Sequence, residues 1–178
     1  MTLGRRCPHG RGQRLFAAVD VHYYGEREAR AALVTAQDAR FAQLAGCRTV
    51  VVDQVAPYRP GEFYLRELPA LRAVWHGAGP FELIVVDGYV DLDPTGRPGL
   101  GAHVYKELAV PVVGVAKTRF RAATHAAEVC RGQSARPLFV TAAGLAIAEA
   151  AALVKDMAGA HRLPAALSLV DRLARGTA

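Results

Sequence analysis

Three apolar, β-prone segments follow one another early in this chain, before any helical pattern begins. They are Arg14 to Val21 (RLFAAVDV), Glu28 to Asp38 (EARAALVTAQD) and Gly46 to Val55 (GCRTVVVDQV). The connections are short, with Gly25 in the first and Ala45-Gly46 near the second. That suits an antiparallel meander. Three consecutive strands at the start of a domain are unlike a Rossmann fold, which alternates strand and helix from the outset. No G-x-G-x-x-G follows the first strand either, which argues against a dinucleotide-binding dehydrogenase.

After Pro57 the pattern changes. Pro57 to Gly61 (PYRPG) reads as a loop, and the helix after it is expected to restart at Pro69, a first-turn residue. Leu68, Leu71 and Trp75 would share its buried face. Phe81 to Asp87 (FELIVVD) is a buried strand, Asp91 to Gly101 a loop and Ala102 to Leu108 a short helix. Strands follow at Val110 to Ala116 and Pro137 to Thr141, and helices at Gly144 to Met157 and Pro164 to Arg175. The predicted class is α/β: a mixed sheet flanked by helices, with a three-stranded meander followed by alternating β and α. That is the order of the ribonuclease H-like fold. A length of 178 residues suits one domain, placed at 15–178 behind a basic tail at 1–14.

Four arginines (Arg5, Arg6, Arg11, Arg14) stand in that tail with no acid, and without them the net charge of +6 falls to +2. Such an arm favours polyanions by counterion release; it fits a disordered start equally well. No apolar run reaches the ~18–20 residues of a membrane span, and no apolar stretch follows the N-terminal arginines. The cysteines Cys7, Cys47 and Cys130 are scattered and odd in number, which fits neither a disulfide framework nor a zinc site. A reduced, cytoplasmic protein with no membrane role is expected.

Two acids, Asp20 and Asp87, end apolar strand runs. A carboxylate buried alone costs several kcal/mol, so such acids tend to be paired, hydrogen-bonded or metal-bound. Two on adjacent strand ends could bridge divalent ions, magnesium being the hard ion suited to oxygen ligands and phosphates. Asp87-Gly88 is also an ordinary turn pair. Asp171 could simply salt-bridge Arg172 or Arg175, and Glu67 could pair with Arg66 or Arg72. The six histidines show no ligand spacing.

Five motifs in order give these acids a context. FAAVDVHY resembles the VAGVDVSY of endonuclease V and places Asp20. PYRPGEFYLRELPAL is similar to PYIPGFLSFREGPAL and places Tyr58, Pro60, Gly61 and Glu67. VVDGYV resembles VDGQG and places Asp87. VPVVGVAKT looks like IPTIGVAKS and places Lys117. RLPAALSLVD is similar to RLPEPTRLAD and places Asp171. The order and spacing agree over residues 14 to 175. The resemblance implies a magnesium site, with manganese as the other ion, formed by Asp20, Glu67 and Asp87. Asp171 would be an outer ligand or water-orienting acid, and Lys117 a fixed charge for the phosphate or attacking water. It implies hydrolysis of a phosphodiester 3′ to a deaminated base, chiefly inosine, in DNA or RNA, by a monomer. Tyr58, Arg59, Pro60 and Gly61 would form a strand-separating wedge. Gly88, Tyr89 and Val90 would line the base pocket, and His103 matches a family histidine, as a substrate contact or a structural residue.

The chain also departs from the family. Tyr89-Val90 replaces Gln-Gly, which sets a valine side chain where backbone would approach the base. Leu92-Asp93-Pro94-Thr95 replaces Ala-His-Pro-Arg and brings an acid beside the expected phosphate path. The segment between Lys117 and Pro137 is short, which reduces or removes a nucleic-acid-gripping hairpin. Ala142-Ala143-Gly144 stands for Pro-Gly-His, and Arg59 for an apolar wedge residue. Two other readings remain: a ribonuclease H-like nuclease with a different nucleic-acid substrate, or a nucleic-acid-binding protein with no effective turnover.

Overall fold

The computed structural model describes residues 14–25, 27–56 and 64–178. Residues 1–13 of the expected arm and the Tyr58, Arg59, Pro60 and Gly61 loop lie outside them. Strands β1 (Leu15–Tyr24), β2 (Glu28–Ala36) and β3 (Leu44–Asp53) form the meander, and helix α1 (Tyr64–Trp75) follows. Then come β4 (Phe81–Asp87), α2 (Leu100–Leu108), β5 (Val112–Ala116), β6 (Ala127–Val129) and β7 (Leu138–Ala143). Helices α3 (Ile147–Asp156) and α4 (Ala165–Arg175) complete the order. The seven strands make one sheet, ordered β3-β2-β1-β4-β5-β7-β6. β1, β4 and β5 are parallel to one another, while β2, β3 and β7 pair antiparallel with their neighbours. The expected mixed sheet and its opening meander are both present.

Central strands read as unbroken Ala/Val/Leu runs because both faces of the sheet are covered. On one face Ala18, Val85, Val113 and Val115 pack under Val154 of α3 and Val170 of α4. On the other, Ala17, Val19, Ile84, Val86 and Val112 pack under Leu71 and Val74 of α1 and Val104 of α2. Burying a large aliphatic side chain fully contributes about 1.5–3 kcal/mol. Among the described residues no helix is long and apolar enough to cross a membrane.

Several local expectations change. Pro69 does not restart the helix: α1 runs through it. The carbonyl that its missing N–H leaves free belongs to Leu65, which is exposed, so water can satisfy it. β1 continues past Val21 because its pairing with β2 runs on to Tyr24–Glu28, after β4 has ended. α2 begins at Leu100, inside the expected loop. The short segment after Lys117 keeps a three-residue edge strand, β6, that its sequence did not announce.

Candidate active site

Side chains alternate across a strand, and that alternation assembles the site. Asp20 is two residues beyond Ala18, Asp87 two beyond Val85 and Lys117 two beyond Val115, all on the face that α3 and α4 cover. In register, Val19 pairs with Val86, so Asp20 and Asp87 come next on neighbouring parallel strands. Asp171 descends onto them from α4. One oxygen from each of Asp20, Asp87 and Asp171 lies within 4.8 Å of the other two. Crevices at the carboxyl ends of parallel strands are where α/β sheets place their sites.

Charge compensation within this group is partial. Lys117 Nζ lies 2.7 Å from Asp87 Oδ2 and 3.2 Å from Asp171 Oδ1. Arg175 Nε lies 3.0 Å from Asp171 Oδ2. Asp20 accepts a hydrogen bond from the Val21 amide at 2.8 Å. Burial, with the charge of Asp87 added, pushes the Asp20 carboxyl up to about 7. Glu67, 8% exposed, reaches the same strand ends from α1 on the opposite face. Burial, with Asp20 and Asp87 nearby, pushes it up to about 8. Burial opposes the charge of Lys117, but the bonds and charges of Asp87 and Asp171 outweigh it and raise its pKa. For Asp171, burial is likewise outweighed, by Arg175 and Lys117, and its pKa falls.

The geometry therefore groups the acids differently from the sequence. Asp171, expected as an outer residue, belongs to the close trio, and Glu67 shares a cavity wall with Asp87 outside it. Oxygen donors gathered this closely, with the buried Glu67 carboxyl near them, fit a hard divalent cation.

A cavity of about 220 Å³ opens against the carboxylates. Glu67, Asp87 and Gly88 border its acidic side, and Tyr64, Tyr89, Leu92, Pro98 and Leu100 complete most of the wall. Gly88 adopts φ +142°, which other residues rarely reach. Its turn packs so closely on β5 that a Cβ at Gly114 would meet Gly88 O and Thr141 Oγ1 at 2.7 Å each. Val90 does not obstruct the cavity. It is fully buried among the residues under α1 and α2, and its amide donates to Thr141 Oγ1 at 2.8 Å. It backs the wall instead of lining it, because the core on that face offers its side chain an apolar place.

Tyr89 does line the cavity. Its hydroxyl donates to Thr118 O and accepts from the Phe120 amide, both at 2.9 Å. His103 stacks on Tyr64 at 3.6 Å between ring centroids and faces a neighbouring groove with Arg72 and Lys106. Asp93 turns inward on its own loop, accepting from the Thr95 amide, Thr95 Oγ1 and the Arg97 amide.

Four residues here were not singled out for the site from sequence. Thr141 is 1% exposed and fixes the turn. Tyr64 forms a wall. Arg162 donates from Nη2 to Lys117 O at 2.5 Å and to Pro137 O at 2.8 Å. Arg175 enters the sequence reading only as a salt-bridge partner of Asp171, a contact the structure contains. Arg162 stands in the RLP run, which was the one signal available.

The family model described as Endonuclease V matches residues 5–172. Endonuclease V of Thermococcus kodakarensis is 33% identical over 160 residues, covering 89% of this chain and 77% of that protein. Endonuclease V of Rhodospirillum centenum is 34% identical over 120 residues, 65% of this chain and 50% of that protein. The crystal structure of endonuclease V from Streptomyces avermitilis superposes with a TM-score of 0.76 at 27% identity, covering 93% of this chain and 81% of that one. Endonuclease V of Ciona intestinalis, crystallised with a 24mer DNA containing an inosine followed by a ribo-adenosine, gives 0.74 at 18% identity over 92% and 84%. The ribonuclease H-like fold is thus shared.

Proposed function

Because this chain belongs to the endonuclease V family, we propose that it is a divalent-metal-dependent endonuclease cutting 3′ to a deaminated base, inosine above all, in DNA or RNA. The observation that carries this reading is the convergence of Asp20, Asp87 and Asp171 within 4.8 Å, against a cavity bordered by Glu67 and Asp87. A carboxylate trio beside a cavity suits a reaction at phosphorus next to a base held out of its stack.

In this proposal Asp20, Asp87 and Asp171 hold the cation, magnesium or manganese, with Glu67 completing the acid set. The bound ion would lower the pKa of water and neutralise charge developing on the phosphate. Lys117 offers a fixed ammonium to the phosphate or the attacking water. Tyr89 and the Gly88 backbone receive the base, with Val90 behind them. Tyr58, Arg59, Pro60 and Gly61 act as the wedge, and His103 supports the substrate side through Tyr64. Residues 1–14 form a basic arm ahead of a single domain at 15–178, and the protein works as a monomer.

One observation favours a second reading. Tyr89 forms part of the cavity wall where the family motif carries Gln; on this reading the preferred base differs from inosine while the metal chemistry stays the same. End-labelled single-stranded DNA and RNA, each with one inosine or none, test both in magnesium and in EDTA, with Asp87→Ala alongside. Magnesium-dependent cutting beside inosine that Asp87→Ala abolishes is the expected result. Cutting that ignores inosine moves the protein to the second reading, and binding without cutting removes both.

A further inference from the structure

Asp171 has both carboxylate oxygens committed to protein cations. Oδ1 lies 3.2 Å from Lys117 Nζ and Oδ2 lies 3.0 Å from Arg175 Nε. The two partners are held differently. Lys117 is also bound by Asp87 at 2.7 Å, so it stays at the strand end whichever way Asp171 turns. Arg175 closes α4 with a side chain 51% exposed, and among the described residues Asp171 is its carboxylate partner. Its half-exposed side chain stands beside the acidic trio through that contact. Position 175 also lies beyond residue 172, where the match to the family model ends.

A carboxylate oxygen that turns toward a divalent cation loses its hold on a guanidinium. A guanidinium so released presents a planar fork of donors that suits a phosphate. Resting on the nuclease reading above, we propose that Arg175 is a phosphate-binding residue for the incoming strand, held in reserve by Asp171 and released when Asp171 turns to a bound cation. The competing role is a plain cation at the C-terminal end of a helix, where it complements the macrodipole. That role predicts no contact with the strand.

Two binding measurements separate the roles, and neither needs turnover. The first is the salt dependence of affinity for a fluorescein-labelled single-stranded DNA, in calcium and in EDTA, for the full chain and for Arg175→Ala and Arg175→Lys. Each phosphate contact to a single strand contributes about 0.7 to the slope of log affinity against log salt. In calcium, Arg175→Ala should flatten the slope by about 0.7 and Arg175→Lys should restore it; in EDTA the difference should shrink. The second is titration with Mn2+ alone, where loss of a competing cation should tighten binding in Arg175→Ala by about threefold. An unchanged slope in calcium overturns the proposal. So does weakened Mn2+ binding in Arg175→Ala, which would mean that Arg175 shapes Asp171 and does not contact the strand. Arg175→Gln carries the same comparison if Arg175→Ala does not fold. A protein that shows the slope change yet cuts nothing would keep this assignment and lose the nuclease reading.

Discussion

Lys117 holds Asp87 through an ion pair of 2.7 Å that joins the ends of β5 and β4. The same ammonium reaches across to Asp171 on α4. Lys117→Ala takes away the ammonium paired with Asp87 and Asp171, which the proposed mechanism assigns to the phosphate. Cleavage should fall on the order of 100-fold, the usual cost of one preorganised electrostatic contact. Divalent-ion affinity should not weaken, because a competing cation has left the trio. Cleavage assays paired with Mn2+ titration check this; a large loss of Mn2+ binding would make Lys117 an organiser of the acids instead.

If the proposed site holds a cation, protons compete with it at Asp20 and Glu67. Their pKa values are raised to about 7 and about 8, chiefly by burial. An acid with a raised folded pKa binds its proton more tightly in the folded state. The stability it contributes is complete below its unfolded pKa near ~4 and is lost as pH rises through the folded value. Asp38 and Asp171, with lowered values, act oppositely, and their contribution is lost as pH falls below ~4. In EDTA the melting temperature should therefore drop between about pH 5.5 and about pH 8.5. Magnesium should restore more of it at the higher pH. Differential scanning fluorimetry reads both, and a flat profile in EDTA would sink the argument.

Arg131 is 6% exposed and donates to the backbone carbonyls of Lys155, Met157, Gly159, His161 and Arg162. It ties down the connection from α3 to α4, and with it the start of the helix that carries Asp171. Arg131→Ala leaves those carbonyls without their donor and should cost about 3 kcal/mol. Urea denaturation measures the loss. Arg131→Lys should recover only part of it, because an ammonium cannot fork toward so many acceptors.

The strand-and-acid frame was legible in the sequence because alternation and apolar runs encode it directly. Asp20, Asp87 and Lys117 could be placed at strand ends, since each follows a run that both faces of the sheet bury. How near Asp171 comes could not be read, because it depends on how α4 crosses the sheet, a matter of packing and not of spacing. Val90 misled because a residue's face cannot be told inside a turn. Pro69 misled because the sequence does not reveal which carbonyls water reaches. β6 was hidden by its length: three residues carry too little periodicity to register.

Tyr89 offers a test of specificity apart from chemistry. Its hydroxyl ties Thr118 and Phe120 to the cavity wall. Tyr89→Phe removes both bonds and should cost about 1 kcal/mol for each, loosening the loop after β5. Tyr89→Gln installs the residue of the family motif. If the second reading holds, it should raise the ratio of kcat/KM for inosine-containing over plain strands. An unchanged ratio would show that Tyr89 does not select the base.

The acidic trio draws on β1, near one end of the chain, and α4, near the other. Tyr24 at the end of β1 donates its hydroxyl to Ala174 O at 2.9 Å, fastening that last helix to the first strand. Ribosomes add ~5–20 residues per second, so Asp20 and Asp87 both exist for roughly four to seventeen seconds before Asp171 is made. During synthesis the cluster is incomplete. A site built this way gains its full acid set only once α4 has docked.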